Sequence, residues 1–219
     1  MASVLNAPDL SLAPAVVDDR PRLTVDEFFD LPDTSGLELI DGLAVEKHMS
    51  GLSSWIGGKV FVCLDAFAAE HGGWAFADGT DFKCFGDPEG DRRKIRKPDA
   101  SYIRAGRLNA LPERGAIRVP PDVVVEVISP GDTIQEYRDK LDDYRLGGVP
   151  IVWEIEPTRR CGAVLNLATG SRVEVAEDGR LDAGETVPGL TCSLATVLPP
   201  SSAVEPMGSE EPNGAGSNV

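Results

Sequence analysis

The chain has 219 residues, of which 42% are hydrophobic and 26% charged, and its net charge is −15. The length suffices for one domain with a full core, and the composition excludes a disordered chain. The acidic balance argues against a broad basic surface for nucleic acid, and apolar runs fall short of the ~20 residues of a membrane span. The N-terminus lacks the basic and apolar regions of a signal peptide, so we expect a cytoplasmic protein without membrane association.

The cysteines, Cys63, Cys84, Cys161 and Cys192, are scattered without a C-x-x-C pair, and the chain has two histidines. We expect thiols that fill apolar space in a reducing compartment rather than a structural zinc site. Neither histidine has a partner at metal-ligand spacing, so both are expected to be structural.

The two ends of the chain differ in composition from the middle. Residues 1–20 are rich in Ala, Pro and Asp, and residues 199–219 in Pro, Gly, Ser and Glu, so we expect both segments to be disordered. Residues 21–198 contain no linker and no repeat, and are predicted to form one domain.

The first predicted elements are a short helix and a β-hairpin. Thr24 and Glu27 have the spacing of a capping box for a helix over residues 23–29. The alternating residues 37–46 contain a central Asp41-Gly42 pair, which favours a tight primed turn between two strands.

A long helix and two strands follow. Apolar residues recur at helical spacing over residues 53–71, and Gly72-Gly73 ends this helix, although Gly57 and Gly58 lower its helix propensity. Strands are predicted over residues 74–85 and 98–104. The three tryptophans, Trp55, Trp74 and Trp153, are expected to be core residues.

The sequence of the second half of the domain predicts a parallel crossover between two strands. Residues 123–128 are apolar on both faces, as in a central strand. Asp132 or Thr133 can cap a second long helix that runs to about Leu146, and a strand over 149–155 follows. Further strands are predicted over residues 162–168 and 171–176. The fold class is therefore α/β, with a mixed sheet, two main helices and an N-terminal hairpin.

An acidic pair is the most informative chemical feature. Asp99 follows Lys97-Pro98 at the start of one apolar stretch, and Glu126 interrupts the apolar run of another. A buried carboxylate must be paired, protonated or metal-bound, because an isolated buried charge is very costly. Two carboxylates and the following Lys140 at one sheet edge would suit a metal-dependent phosphodiesterase.

These residues, in this order, resemble a known family. Over roughly residues 22–198 the chain is similar to the Uma-type putative restriction endonucleases, a family within the PD-(D/E)xK nuclease superfamily. The matching segments are Leu37-Glu38-Leu39-Ile40-Asp41-Gly42, Lys97-Pro98-Asp99, Pro121 to Pro130, Lys140 with Tyr144, and Gly148-Val149-Pro150 leading to Trp153. The resemblance implies a restriction-endonuclease-like core, a divalent metal and hydrolysis of phosphodiester bonds, with DNA as the expected substrate.

The resemblance also implies roles for individual residues. Asp99 and Glu126 would bind Mg²⁺ or Mn²⁺, since such cations prefer oxygen ligands. The superfamily lysine normally lies two residues after the second acid, where this chain has Ile128. The family pattern implies that Lys140 takes that role, and Glu38 would be a third acid.

Two further positions bear on this resemblance. Tyr137 and Tyr144 lie three residues before and four after Lys140, so the three should share one helix face. The family often carries a histidine near the start of the long helix, where this chain has Ser53 and Ser54.

Each candidate has a structural alternative. Asp99 could cap a turn, Glu126 could be held by an ion pair alone, Lys140 could pair with Glu136 on the helix surface, and Glu38 could be an ordinary edge-strand acid. The basic stretch 91–97 could be a solvated hairpin or a patch that steers phosphates to the acids.

The leading hypothesis is a metal-dependent endonuclease that acts on DNA, and a homodimer would allow it to cut both strands. One alternative is an inactive nuclease fold used for binding or dimerisation. The other is a metal-dependent hydrolase of a small phosphoester, which would suit the net charge.

Overall fold

The computed structural model describes residues 20–85 and 93–204, and all structural statements refer to these ranges. The helices are α1 (Val25–Phe29), α2 (Gly51–His71), α3 (Ile134–Leu146) and α4 (Leu194–Val197). The strands are β1 (Leu37–Ile40), β2 (Leu43–Glu46), β3 (Trp74–Ala77), β4 (Ala100–Ile103), β5 (Val123–Val127), β6 (Ile151–Glu156), β7 (Cys161–Asn166), β8 (Ser171–Val175), β9 (Arg180–Asp182) and β10 (Thr191–Ser193).

A mixed sheet forms the centre of the fold. Within the described ranges it has six strands in the order β3-β4-β5-β6-β7-β8. Strands β5 and β6 are parallel and their neighbours antiparallel, with α3 as the crossover between them. This confirms the predicted α/β class and places Glu126 on a central strand.

The predicted N-terminal helix and hairpin are confirmed. The Thr24 side chain accepts from the Glu27 amide while the Glu27 carboxylate accepts from the Thr24 amide, so the capping box is complete. Strands β1 and β2 pair around Asp41 and Gly42, with φ of 49° and 85°. Positive φ at both positions is the signature of a type I′ turn, which the Asp-Gly pair favours.

The two long helices cover opposite faces of the sheet. Ile56, Val60 and Leu64 of α2 pack in one apolar cluster with Val123, Val125 and Val127 of β5. Val124 joins Tyr144 of α3 in a second cluster. Because side chains alternate along a strand, Glu126 points to the α3 face with Val124.

The third strand is shorter than predicted. The prediction placed a strand over residues 74–85, but β3 ends at Ala77. Gly79 has a φ of +84°, and the Thr80 hydroxyl donates to the Ala77 carbonyl, so the chain turns there. Phe82 then forms isolated bridges to Arg96 and Ile117 instead of extending the sheet.

Residues 180–197 form structure that the sequence pattern did not predict. Strands β9 and β10 pair with each other, and Leu181 and Leu194 join the α2-side cluster. The predicted disorder over 1–20 and 199–219 falls largely outside the described residues. Residues 199–204 are described and include a short 3-10 turn over Ser201–Ala203.

The prediction that all three tryptophans are core residues is wrong for two of them. Trp153 is fully buried, but 43% of Trp55 and 37% of Trp74 is exposed. Trp55 lies near the start of α2, and Trp74 begins β3 at the sheet edge. Their large aromatic surfaces are therefore open to solvent or to a ligand.

Two of the cysteines lie together, Cys63 on α2 and Cys192 on β10. Cys63 and Cys192 carry free thiols, and the Cys63 Sγ lies 3.4 Å from the Thr191 carbonyl. A hydrogen bond from the Cys192 thiol lowers the pKa of Cys63 to about 7. The thiols thus contact one another as well as filling apolar space.

Helix α2 is long and apolar enough to match a membrane-spanning helix in length and composition, with a mean hydropathy of 1.3 over its most apolar window. The expectation of a protein without membrane association stays a prediction. Ile56, Val60 and Leu64 on one face of this helix are nonetheless fully buried in the core. Core helices commonly meet the same criterion, so this match by itself indicates no membrane.

Gly57 and Gly58 test how closely α2 approaches the acidic region. A Cβ at Gly57 would lie 3.1 Å from the Asp99 carbonyl oxygen, whereas a Cβ at Gly58 would meet nothing within 4 Å. We expect Gly58→Ala to raise the free energy of unfolding by up to about 1 kcal/mol through helix propensity. Gly57→Ala should raise the free energy of unfolding by less, or lower it. Urea denaturation measures both variants. Equal gains at both positions would contradict the close approach.

Candidate active site

Glu126 is held by two side chains from α3. The residue is buried in the middle of the sheet, on the face that α3 covers. The Lys140 ammonium donates to Oε2 at 2.8 Å, and the Tyr144 hydroxyl donates to Oε1. The structure therefore contains the predicted contact between Lys140 and Glu126. Lys140 is not paired with Glu136 on the helix surface.

Asp99 lies at the same end of β5, one strand away. Its Oδ2 accepts from the Val127 amide at 2.7 Å, and its own amide donates to the Val125 carbonyl at 3.1 Å. These backbone contacts bracket Glu126, so the two carboxylates are electrostatic neighbours. Asp99 thus does more than cap a turn after Pro98.

Lys47 completes the group, and the sequence pattern did not predict it. Its ammonium lies 2.6 Å from Asp99 Oδ1 and 2.5 Å from Asp78 Oδ1, with 6% of the side chain exposed. Lys47 follows directly after β2, and its contact with Asp99 spans 52 residues of sequence. Nothing in the local pattern distinguishes it from a surface lysine.

Burial sets the protonation of the group. Burial raises the pKa of Glu126 above its ordinary value, and the Lys140 ammonium only partly offsets this effect. Burial alone would lower the pKa of Lys140, but the Glu126, Glu38 and Asp99 carboxylates raise it overall. The pKa of Lys47 is likewise raised, since Asp99, Glu126 and Asp78 outweigh its desolvation. Both lysines are therefore cations at neutral pH.

Glu38 reaches the same region from the hairpin but is already bound. Its Oε1 accepts from the Lys97 amide at 2.7 Å and its Oε2 from Arg96 at 2.8 Å. Burial raises the pKa of Glu38, but Lys140 and Arg96 lower it overall. Glu38 also lines a narrow cleft of about 80 Å³ together with Lys47 and Lys140. It is a buried acid beside the site, not an ordinary edge-strand residue.

Three of the four described basic residues of the stretch 91–97 are used in ion pairs and buried contacts, whereas Arg93 is exposed. Arg96 is bound between Glu38 and Asp143, and Lys94 also binds Asp143. The Lys97 ammonium lies 2.5 Å from the Thr34 carbonyl. Arg96 and Lys97 are almost wholly buried, so their charges are used inside the protein. Residues 91 and 92 lie outside the described ranges.

A second acidic group adjoins the first across the parallel strands. Glu154 pairs in register with Glu126 and is buried. Its Oε2 accepts from the Tyr137 hydroxyl at 2.6 Å, and its Oε1 from Arg172 at 2.5 Å. Tyr137 and Tyr144 thus lie on the same face of α3 as Lys140, as predicted. They donate to different carboxylates, Glu154 and Glu126. The sequence pattern missed Glu154 because its strand reads as ordinary core.

The departures from the superfamily motif have structural substitutes. Ile128, where the motif has lysine, continues the strand, and its amide donates to the Ile155 carbonyl at 2.8 Å. Ser53, in the region where the family often has histidine, is buried with its Oγ 2.6 Å from the Ser129 Oγ. This contact fastens the start of α2 to the end of β5.

The donor set fits a cation that keeps most of its waters. Mg²⁺ is typically bound by one or two carboxylates plus waters and substrate phosphates. Asp99 and Glu126 could supply these carboxylates. Among the described residues, no group of three or more His, Cys, Asp or Glu side chains could hold a metal. Asp99 Oδ1 is bound by Lys47, so a metal at that oxygen would have to displace or share with the ammonium.

A comparison with known families matches most of this chain. Residues 25–196 match the family model of Uma2, described as "Putative restriction endonuclease". The chain belongs to the Uma2 family. The match spans all the named helices and strands except the last residue of α4, so Asp99, Glu126, Lys140 and Glu38 lie within it. The resemblance inferred from the sequence motifs is thereby confirmed. No curated protein matches this Uma2 chain.

A solved structure supports the fold of this Uma2 protein. It is a crystal structure of a "putative nuclease belonging to DUF820" from Anabaena variabilis ATCC 29413. The TM-score is 0.64 at 21% sequence identity, and the match covers 80% of this chain and 97% of the other. At that identity the likeness establishes a shared fold.

Arg96 tests whether the basic stretch serves folding. Arg96→Met leaves the Glu38 and Asp143 carboxylates buried without their shared cation, so we expect a loss of about 3–5 kcal/mol in the free energy of unfolding. Arg145→Met is the matched control, because its pair with Asp142 is half-exposed and should change stability by about 1 kcal/mol or less. Chemical denaturation measures both. A stable Arg96→Met variant would restore the phosphate-steering interpretation.

Proposed function

We propose that this protein is a metal-dependent nuclease that hydrolyses phosphodiester bonds, with DNA as its substrate. The observation that carries the proposal is the convergence of Asp99, Glu126 and Lys140 at one end of β5 in a Uma2 family member. The burial of this charged group is unfavourable for stability, which supports a chemical role.

Asp99 and Glu126 would hold the divalent cation, Mg²⁺ or Mn²⁺. When bound, the cation would lower the pKa of a coordinated water and offset negative charge on the phosphate. Val127 and Tyr144 each donate a hydrogen bond to one of these carboxylates, which fixes the orientation of its oxygens. The acids are thus positioned before substrate arrives.

Lys140 would stabilise charge rather than accept a proton. Its raised pKa keeps the ammonium protonated at neutral pH, so it is unsuited to act as a general base. A fixed ammonium beside the acids can donate to a phosphate oxygen as negative charge develops there. Lys47 has the same charge and lies on the hairpin side of Asp99, where it could contact a second phosphate oxygen.

The number of strands cut depends on assembly. One copy contains one such group and could nick a duplex or cut a single strand. A homodimer would be needed to cut both strands of a duplex at once.

Cleavage tests the proposed acids directly. Purified protein is incubated with supercoiled plasmid or single-stranded DNA in Mg²⁺ or Mn²⁺. Asp99→Asn and Glu126→Gln should each lower the rate by about 100-fold or more, because each removes a carboxylate that would hold the cation, and weakening such electrostatic stabilisation typically costs at least this much. Asp142→Asn, on the exposed face of α3, should leave the rate unchanged.

The outcomes separate the candidate functions. Cleavage that survives both substitutions would reject this site. If neither DNA is cleaved but Mn²⁺ still stabilises the protein, a small phosphoester becomes the better substrate. If there is neither cleavage nor metal binding, the inactive binding module becomes the better interpretation.

Lys47 should compete with the metal for Asp99. An ammonium about 4 Å from a doubly charged cation repels it by about 8 kcal/mol at an effective dielectric constant of about 20, before losses from rearrangement. We therefore expect Lys47→Met to bind Mn²⁺ at least about tenfold more tightly by calorimetry. Lys83→Met, in a separate groove beside Ile117, is the control. Weaker Mn²⁺ binding in Lys47→Met would show that Lys47 supports the cation instead.

A further inference from the structure

A large cavity opens beside the acidic group. Its volume is about 890 Å³, within the range of cavities that hold small organic ligands. Its described lining comes from the segment after β2, the first turns of α2, the loop after β5 and residues 199–204. We call it the Trp55 cavity, after the half-exposed tryptophan in its wall.

The Trp55 cavity adjoins the cleft beside the acidic group. His48 lines both the cavity and the narrow cleft that contains Glu38, Lys47 and Lys140. Lys47, which binds Asp99, immediately precedes His48 in the chain. On the other side, Ser129 lines the cavity two residues after Val127, whose amide binds Asp99. A ligand with its phosphate at the acids could therefore extend into this cavity.

The chemistry of the lining differs from that of the chain as a whole. The chain has a net charge of −15, yet no carboxylate occurs among the described residues that line the Trp55 cavity. The lining is mostly apolar, with Leu52 and Trp55 among its members. Lys59 is not among the lining residues, and its ammonium lies over the Trp55 ring, 5.1 Å from the ring centroid. A half-exposed aromatic side chain in the wall of a cavity is suited to stacking with a planar base.

We propose that the Trp55 cavity binds an unpaired nucleobase next to the scissile phosphate, so that the substrate is single-stranded or locally unpaired nucleic acid. This inference rests on the proposed phosphodiesterase activity. A base inside a duplex is stacked and paired, and must leave the stack to enter such a cavity. Stacking of a base on an aromatic side chain adds affinity that does not depend on the net charge of the protein, which is −15 for this chain.

Binding without cleavage tests the inference. The full-length protein is titrated in EDTA against a fluorescein-labelled single-stranded hexathymidylate, and anisotropy reports binding. The matched probes are an abasic strand with the same phosphates and a hairpin in which the six thymidines are paired and held closed by a flanking G·C clamp. We expect the single strand to bind at least about tenfold more tightly than either matched probe, since each stacked base contributes substantially.

The variants assign that preference to the cavity. Trp55→Ala should lose about tenfold in affinity for the hexathymidylate and almost nothing for the abasic strand. Trp74→Ala is the control, because it removes a similarly exposed tryptophan from the sheet edge. Equal binding of all probes, or an unchanged affinity in Trp55→Ala, would overturn the inference.

Occupation of the Trp55 cavity by protein instead of a nucleobase would also overturn the inference. In a Trp74→Phe variant, Trp55 and the buried Trp153 remain as emitters. Acrylamide should quench Trp55 strongly when no oligonucleotide is present. Protection of Trp55 at all protein concentrations would indicate a segment of the chain itself, and protection that grows with concentration would indicate a second copy.

Failure of the nuclease proposal is distinguishable from failure of this one. Base-dependent binding through Trp55 with no cleavage of any DNA would remove the nuclease and leave the cavity assignment. If single strands are cleaved, and the cleavage is abolished in Glu126→Gln but unchanged in Trp55→Ala, the nuclease proposal stands and the cavity assignment is rejected.

Discussion

The burial of Glu126 in the central strand is the constraint on which the rest of the structure depends. A carboxylate at that depth needs a cation and a hydrogen-bond donor, and α3 supplies both through Lys140 and Tyr144. This requirement fixes which face of α3 meets the sheet, because residues four apart share one side of a helix. The parallel crossover from β5 to β6 then brings that face directly over Glu126.

Around this point the protein contains an unusual density of buried, paired charge. Asp99 is paired with Lys47, Arg96 joins Glu38 to Asp143, and Glu154 binds Tyr137 and Arg172, all next to Glu126. Each such pair is weak evidence for stability, because the desolvation of both ions offsets their attraction. A fold stabilised by its apolar clusters can retain these pairs, and the arrangement holds acids and cations in defined positions before any ligand binds.

The local elements were predictable because their signals are local. The Thr24–Glu27 capping box and the Asp41-Gly42 turn act through contacts a few residues apart, and the structure contains both. The strand predicted over 74–85 was wrong because apolar periodicity does not reveal the turn at Gly79. Strands β9 and β10 were missed because they are short and depend on packing against α2 and the sheet.

The sequence by itself determined the fold class, the family motifs and the identity of Asp99, Glu126 and Lys140 as the acids and the lysine to examine. A buried charge inside an apolar strand is visible in sequence because few other residues interrupt such a run. Only the tertiary structure decided that Lys47 lies against Asp99, that Arg96 and Lys97 are interior, and that Trp55 faces an open cavity. Those contacts join residues far apart in the chain, and no periodic pattern encodes which distant partner a charged or aromatic side chain will meet.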